Sequence, residues 1–174
     1  MAKISFIVIS ILFLHFNFGY AIQSTCVKET YDDEIGVREA TGNNDGKDVE
    51  KYLKSVDLGK GNAWCAAFVH WVFEQCGVEN SINAWSPTAE NKKNFVWNKK
   101  QWYKKPKSGD VFCLYYSSKR RIGHTGFFDL MINSKIYQTV EGNTDATGGS
   151  EGDGVYRRKR SINSTYSISR WLKN

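Results

Sequence analysis

The residues of this chain best suited to chemistry are a cysteine at the start of an apolar stretch and a histidine nearly sixty positions further on. Cys65 lies in Gly61-Asn62-Ala63-Trp64-Cys65-Ala66-Ala67-Phe68-Val69-His70-Trp71-Val72-Phe73-Glu74-Gln75-Cys76-Gly77. A thiol is nucleophilic as its thiolate, and the first turn of a helix favours that form through its unpaired N–H groups and the positive end of its dipole. A cysteine can equally be a small apolar core residue, so the reading depends on a base. Beyond the first 21 residues the chain has two histidines, His70 and His124. His70 follows Cys65 by five positions, roughly 140° around a common helix, and cannot face the thiol. That leaves His124, with Glu141 and Asn143 as candidates to hold its ring. Thiol, imidazole and an orienting carboxylate or amide are the parts of nucleophilic cysteine catalysis.

The elements that must position these groups follow from the patterning. Residues 64–76 contain no Pro or Gly, and Gly lies just past each end, so a helix of about three and a half turns is expected. Asn62 is the expected N-cap and Gly77 the C-terminal stop. Because the helix is apolar around most of its circumference, it must be buried by its neighbours. Earlier helices are expected over about 26–40 and 48–58, the second from Val49, Tyr52, Leu53 and Val56 at helical spacing. Residues 78–108, rich in Asn, Lys, Trp and Tyr, are expected to form a helix-and-loop cover over the core.

From Val111 the period changes. Strands are expected at 111–116, 123–132, 135–141, 154–159 and 166–171. Helices first and an antiparallel meander after them make an α+β domain. A two-residue hairpin over Asn133-Ser134 pairs Ile132 with Lys135, which sets His124 opposite Asn143 and Glu141 opposite Gly126. By strand parity His124, Glu141 and Asn143 then share one face, and a one-residue slip would move Glu141 and Asn143 to the other. The glycine-rich stretch 142–154 leaves from these orienters as a mobile rim of a cleft.

The opening of the chain carries an address. Lys3, the apolar run 4–14 and Gly19-Tyr20-Ala21 have the form of a secretory signal peptide cut after Ala21. The apolar run is too short to span a membrane, so no transmembrane segment is expected after processing. Lipid attachment at Cys26 is disfavoured because Gln23-Ser24-Thr25 lacks an aliphatic lipobox residue. Residues 22–174 read as one domain, and a monomer is expected.

That domain keeps 23 Lys and Arg against 18 Asp and Glu. The basic clusters at 99–100, 104–107, 119–121 and 157–160 suit a solvated face or an anionic envelope polymer; export argues against nucleic acid as the partner. Cys65 and Cys76 would lie about 16 Å apart on one helix and cannot bridge. If Cys65 stays free, Cys26, Cys76 and Cys113 allow at most one disulfide. Asn43, Asn44, Asp45 and Asp48 could offer oxygen ligands to calcium, but their spacing is not that of an EF-hand and a plain turn is favoured; neither metal nor cofactor is expected.

Four segments in order, Trp64-Cys65-Ala66-Ala67-Phe68-Val69, Ser108-Gly109-Asp110-Val111, Gly123-His124-Thr125-Gly126 and Val140-Glu141-Gly142-Asn143-Thr144, resemble the CHAP family of cysteine peptidases and amidases within the papain-like, NlpC/P60-like superfamily. The likeness runs from about residue 35 to residue 160. It implies a papain-like α+β fold, with N-terminal helices, one of them catalytic and buried, packed on a C-terminal antiparallel sheet. It also implies hydrolysis of peptidoglycan amides, either between sugar and peptide or within the stem and cross-bridge. The family's Cys, His, Glu and Asn quartet falls on Cys65, His124, Glu141 and Asn143. Alternatives are a non-catalytic envelope-binding module on the same shell, a transferase using the same thioester chemistry, and a secreted basic nucleic-acid binder.

Overall fold

The computed structural model describes residues 21–147 and 152–173. The expected leader, apart from Ala21, lies outside the described residues, as do residues 148–151 of the glycine-rich rim.

Among the described residues three α-helices come first: α1 over 21–33, α2 at Lys47–Lys54 and α3 at Cys65–Gln75. A 3-10 turn at Ser86–Ala89 follows. The strands are β1 Phe95–Asn98, β2 Gln101–Trp102, β3 Val111–Tyr116, β4 Arg121–Met131, β5 Ile136–Thr144, β6 Gly154–Ser161 and β7 Ser167–Ser169. They form one antiparallel sheet in the order β2-β1-β7-β3-β4-β5-β6. The α+β architecture expected from the patterning is the one observed, with the four-strand meander β3 to β6 forming one side of the sheet and β6 its edge.

Helix α3 packs across β4 and β5 and buries Ala66, Ala67, Phe68, Val69, Val72 and Phe73 completely. Each Phe or Val so buried stabilises the packing by roughly 1.5–3 kcal/mol. The Phe127 ring of β4 lies at the focus, with centroids 5.0 Å from Tyr31, 6.0 Å from Phe68 and 5.3 Å from Phe73. Val96, Phe112, Phe128, Tyr137 and Ile168 form a second apolar cluster.

Several boundaries differ from expectation for local reasons. Helix α1 stops at 33 because the chain then pairs with β6: Gly36 N–H donates to Val155 O, and Val155 N–H donates to Val37 O. Helix α2 ends at Lys54, and Leu58 N–H closes back on Leu53 O. The N-cap of α3 is Trp64 rather than Asn62, whose amide instead donates to Gly59 O. Cys65 is therefore the first helical residue. The stop at Gly77 is as expected, with Gly77 N–H to Glu74 O and Val78 N–H to Phe73 O closing a Schellman motif. The stretch 78–108 adds the hairpin β1–β2 rather than covering the core with a helix. Lys99 and Lys100 both take positive φ, at 49° and 65°, the turn that brings Trp97 opposite Trp102.

The β4–β5 hairpin carries two departures that cancel. Its loop is one residue longer than expected, with Met131 opposite Tyr137, but a bulge between Phe128 and Leu130 restores Phe127 to its place opposite Val140. The bulged residue is Asp129. Its carboxylate accepts from Lys28 Nζ at 3.1 Å, Tyr31 Oη at 2.9 Å and Gln138 Nε2 at 2.8 Å, so the bulge is fastened to α1. The expected register therefore holds at Phe127–Val140, though not at the turn.

One disulfide joins Cys26 to Cys76, with an S–S distance of 2.10 Å, and leaves Cys65 and Cys113 as buried thiols. It links α1 to the end of α3 across 50 positions, a closure of the size that contributes about 2–4 kcal/mol.

Candidate active site

Cys65 opens α3 and is 4 % exposed, with one edge facing a cleft of about 490 Å³. Its sulfur lies 3.4 Å from Ser86 Oγ, in the 3-10 turn. Burial pushes the thiol pKa up, but His124, the Ser86 hydroxyl and the backbone N–H of Thr125 outweigh it and bring the pKa below the ordinary value. Cys113, equally buried, has no such base and is pushed up to about 12. The two free thiols thus differ in character: one is poised and the other inert.

His124 is fully buried on β4. Its Nε2 lies 2.8 Å from Glu141 Oε2. Because Glu141 accepts as a carboxylate, the proton belongs on Nε2, which leaves Nδ1 for the thiol. Among the described residues Nδ1 makes no hydrogen bond of ordinary geometry, the looseness expected of a resting pair before substrate aligns it. Burial disfavours the imidazolium, yet Cys65 and Glu141 together raise the His124 pKa above its usual value. Thiol lowered and imidazole raised is the signature of a thiolate–imidazolium pair.

Glu141 is fully buried on β5. Arg160 of β6 grips both its oxygens, Nε at 2.8 Å from Oε1 and Nη2 at 2.5 Å from Oε2, and Thr139 Oγ1 donates to Oε1 at 2.5 Å. Burial alone would raise its pKa, but Arg160 and His124 hold it down at about 2. The carboxylate therefore stays charged over the whole working range.

Two glycines make room for this arrangement. A Cβ on Gly126 would lie 3.0 Å from Glu141 Cγ and 2.9 Å from Val140 O, and one on Gly142 would fall 2.6 Å from the Trp64 ring. Gly126 clears space for the Glu141 side chain. Gly142 lets β5 press against the start of α3, which brings strand and helix close enough for the groups to meet.

Of the four residues singled out in the sequence, the structure brings Cys65, His124 and Glu141 together. Asn143 sits at φ 53°, where the β5–β6 register shifts. Its Nδ2 donates to Asn44 Oδ1 at 3.0 Å and its Oδ1 has no partner among the described residues. The parity argument fails for Asn143 because that irregularity interrupts the alternation of the strand. The Asn44 loop is in turn tied to the helix start, since Glu39 accepts from Asn44 N at 2.8 Å and from Trp64 Nε1 at 2.9 Å. Within this loop Asp45 accepts from Thr41 N at 2.9 Å and from Thr41 Oγ1 at 2.7 Å, as in a plain turn. His70, set aside on helical geometry, bonds Asn80 Oδ1 at 3.0 Å.

Sequence reasoning missed Arg160, Ser86 and Thr139. Arg160 was grouped with a basic surface run, although it alternates with exposed Lys159 on a strand, and that alternation was a usable signal. Ser86 gave none.

The model of the CHAP domain family matches residues 57–143, half of the chain and the span that holds Cys65, His124, Glu141 and Asn143. Among curated proteins and among solved structures, nothing matches. Arg160, which grips the orienting carboxylate, lies beyond the matched span. A helix-borne thiol, an imidazole and a carboxylate in the matched order, on an α+β frame, agree with that match, and the chain belongs to the CHAP domain family.

Proposed function

We propose that this protein is an exported cysteine hydrolase of peptidoglycan amide bonds, either an N-acetylmuramoyl-L-alanine amidase or an endopeptidase of the stem or cross-bridge. CHAP domains are in general hydrolase and amidase domains. The observation that carries the reading is the buried His124–Glu141 pair, Nε2 and Oε2 2.8 Å apart, with the Cys65 thiol interacting with the same imidazole.

Cys65 Sγ attacks the scissile carbonyl carbon, and the electron pair moves onto oxygen. The oxyanion is held in part by the Cys65 backbone N–H, which has no acceptor inside the helix. His124 gives the Nδ1 proton to the departing amine, and a thioester remains. Water then attacks the thioester with His124 taking its proton, and the thiolate returns as the carboxylic acid leaves. Glu141 orients the imidazole. Asn143 serves the site by tying the Asn44 loop to the end of β5. No cofactor enters these steps.

The leader-like residues 1–21 and the Cys26–Cys76 disulfide support work outside the cytoplasm. With its sulfur in that bridge, Cys26 is unsuited to lipid attachment. No helix among the described residues is long and apolar enough to cross a membrane. Residues 22–174 act as one catalytic domain and as a monomer.

Digestion of purified sacculi followed by mass spectrometry of the muropeptides tests the reading. A new free amine at a single type of amide bond is expected. Sacculi that bind the protein and remain uncut would establish the non-catalytic alternative instead.

The ion pair also sets a pH dependence. Activity rises as the thiolate forms through a thiol pKa below the ordinary cysteine value, and falls as His124 loses its proton near pH 9. A bell with its acid limb below the ordinary thiol value is therefore expected in kcat/KM. An acid limb at the free-thiol value would mean that no pair forms.

A further inference from the structure

The cleft beside Cys65 has one wall that the steps above leave unused. Among the described residues its lining carries Lys119 and Arg121 and no Asp or Glu. Arg121 lies on β4 three positions before His124, and its guanidinium stacks over the Trp85 ring at 4.0 Å from the centroid. Trp85 immediately precedes Ser86, the residue whose hydroxyl lies 3.4 Å from the Cys65 sulfur. The shelf is therefore joined to the reacting thiol through Ser86 and to the base through β4.

Arg121 donates one Nη1 bond, to Ile122 O at 2.9 Å, and pairs with no carboxylate among the described residues. A guanidinium offers five donors in a planar fork, so most remain unspent. Stacking on an aromatic face fixes the plane of that fork and lowers the entropy lost when it binds. Trp85 is 53 % exposed, far more than a core role requires. A planar cation held flat at a cleft mouth, with no acid among the described lining residues, is arranged to take a planar anion.

We propose that Trp85 and Arg121, with Lys119 at the rim, form a subsite that binds a substrate carboxylate flanking the scissile amide. The subsite rests on the reading of Cys65 as the nucleophile of a peptidoglycan amide hydrolase, in which the anions next to amide bonds are carboxylates. It selects among stem peptides: those with a free acid at that position are preferred over those in which the acid is a carboxamide.

The test uses the full chain and two muropeptides that differ only in a free or amidated carboxyl beside the cleaved bond. The wild type favours the free acid by about tenfold in kcat/KM, the size expected of one charge-assisted hydrogen bond, and Arg121→Gln brings that ratio near one. A wild type without preference, or a preference that survives Arg121→Gln, overturns the subsite. A second readout does not need the peptidoglycan reading: alkylation of Cys65, located by peptide mapping, with iodoacetate and with iodoacetamide. Arg121→Gln lowers the iodoacetate rate relative to the iodoacetamide rate. If that ratio falls while both muropeptides remain uncut, the subsite stands and the assigned substrate falls. If both muropeptides are cut equally and the alkylation ratio does not move, the subsite falls and the assigned substrate stands.

Discussion

Cys65→Ala is expected to abolish amide cleavage, with kcat/KM reduced by at least about 10⁴-fold, the scale on which nucleophile removal acts in triad enzymes. The fold should survive. The sulfur is a small group at the edge of a cleft, and α3 is held by the burial of Phe68, Val69, Val72 and Phe73 rather than by its first residue. Thermal unfolding followed by circular dichroism should move by no more than a few degrees, as a change of about 1 kcal/mol implies. A second readout guards against misreading a general loss of structure. With the thiolate gone, His124 loses one of the two partners that keep its pKa high, so its NMR titration midpoint should fall. Residual activity within tenfold of the wild type would end the assignment of Cys65 as nucleophile.

Glu141→Gln carries the second-largest expected effect, and it acts in two ways. Catalysis should fall by roughly 10²–10⁴ in kcat, because an amide no longer commits the Nε2 proton and the imidazole can adopt the wrong tautomer. Stability should fall too. Arg160, with its side chain 13 % exposed, would lose the carboxylate that accepts two of its N–H groups, and breaking a buried pair from one side costs about 3–5 kcal/mol. The double variant Glu141→Gln/Arg160→Met separates the two effects. It should regain most of the melting temperature, since no buried cation is left unpaired, while kcat stays low. Recovery of activity along with stability would show that Glu141 serves only to hold the fold.

Arg160 also illustrates how a local reading goes astray. In the run Arg157-Arg158-Lys159-Arg160 the four residues look alike and suggest a solvated basic face. On β6 their side chains divide. Lys159 is exposed, Arg157 joins Asp32 and Asp129 at the fastened bulge, and Arg160 reaches Glu141. Arg158 donates to the Asp145 carbonyl oxygen, so three of the four cations are structural and Lys159 alone of the run fits a solvated face.

The β4–β5 hairpin gives the complementary lesson. The expected turn was one residue too short, yet Phe127 lies opposite Val140 as expected, because the bulge at Asp129 absorbs the extra residue. Phe127 and Val140 enter the cluster beneath α3 while the neighbouring Phe128 enters the second cluster, so burial alone does not fix the pairing and the bulge does.

What the amino-acid order determined by itself is what repeats within a segment: the apolar helix with Cys65 at its start, the exclusion of His70 by helical angle, strand β3 to the residue, and the succession of helices and sheet. Those features depend on periods of 3.6 and 2, which neighbouring residues express without help. Only the tertiary structure decided that Cys26 pairs with Cys76, that β7 inserts between β1 and β3, that Ser86 reaches the sulfur and that Asn143 turns to Asn44. Each of these joins segments whose separation and angle are set by how helix α3 and the sheet bury their common apolar surface, and no short-range pattern encodes that distance.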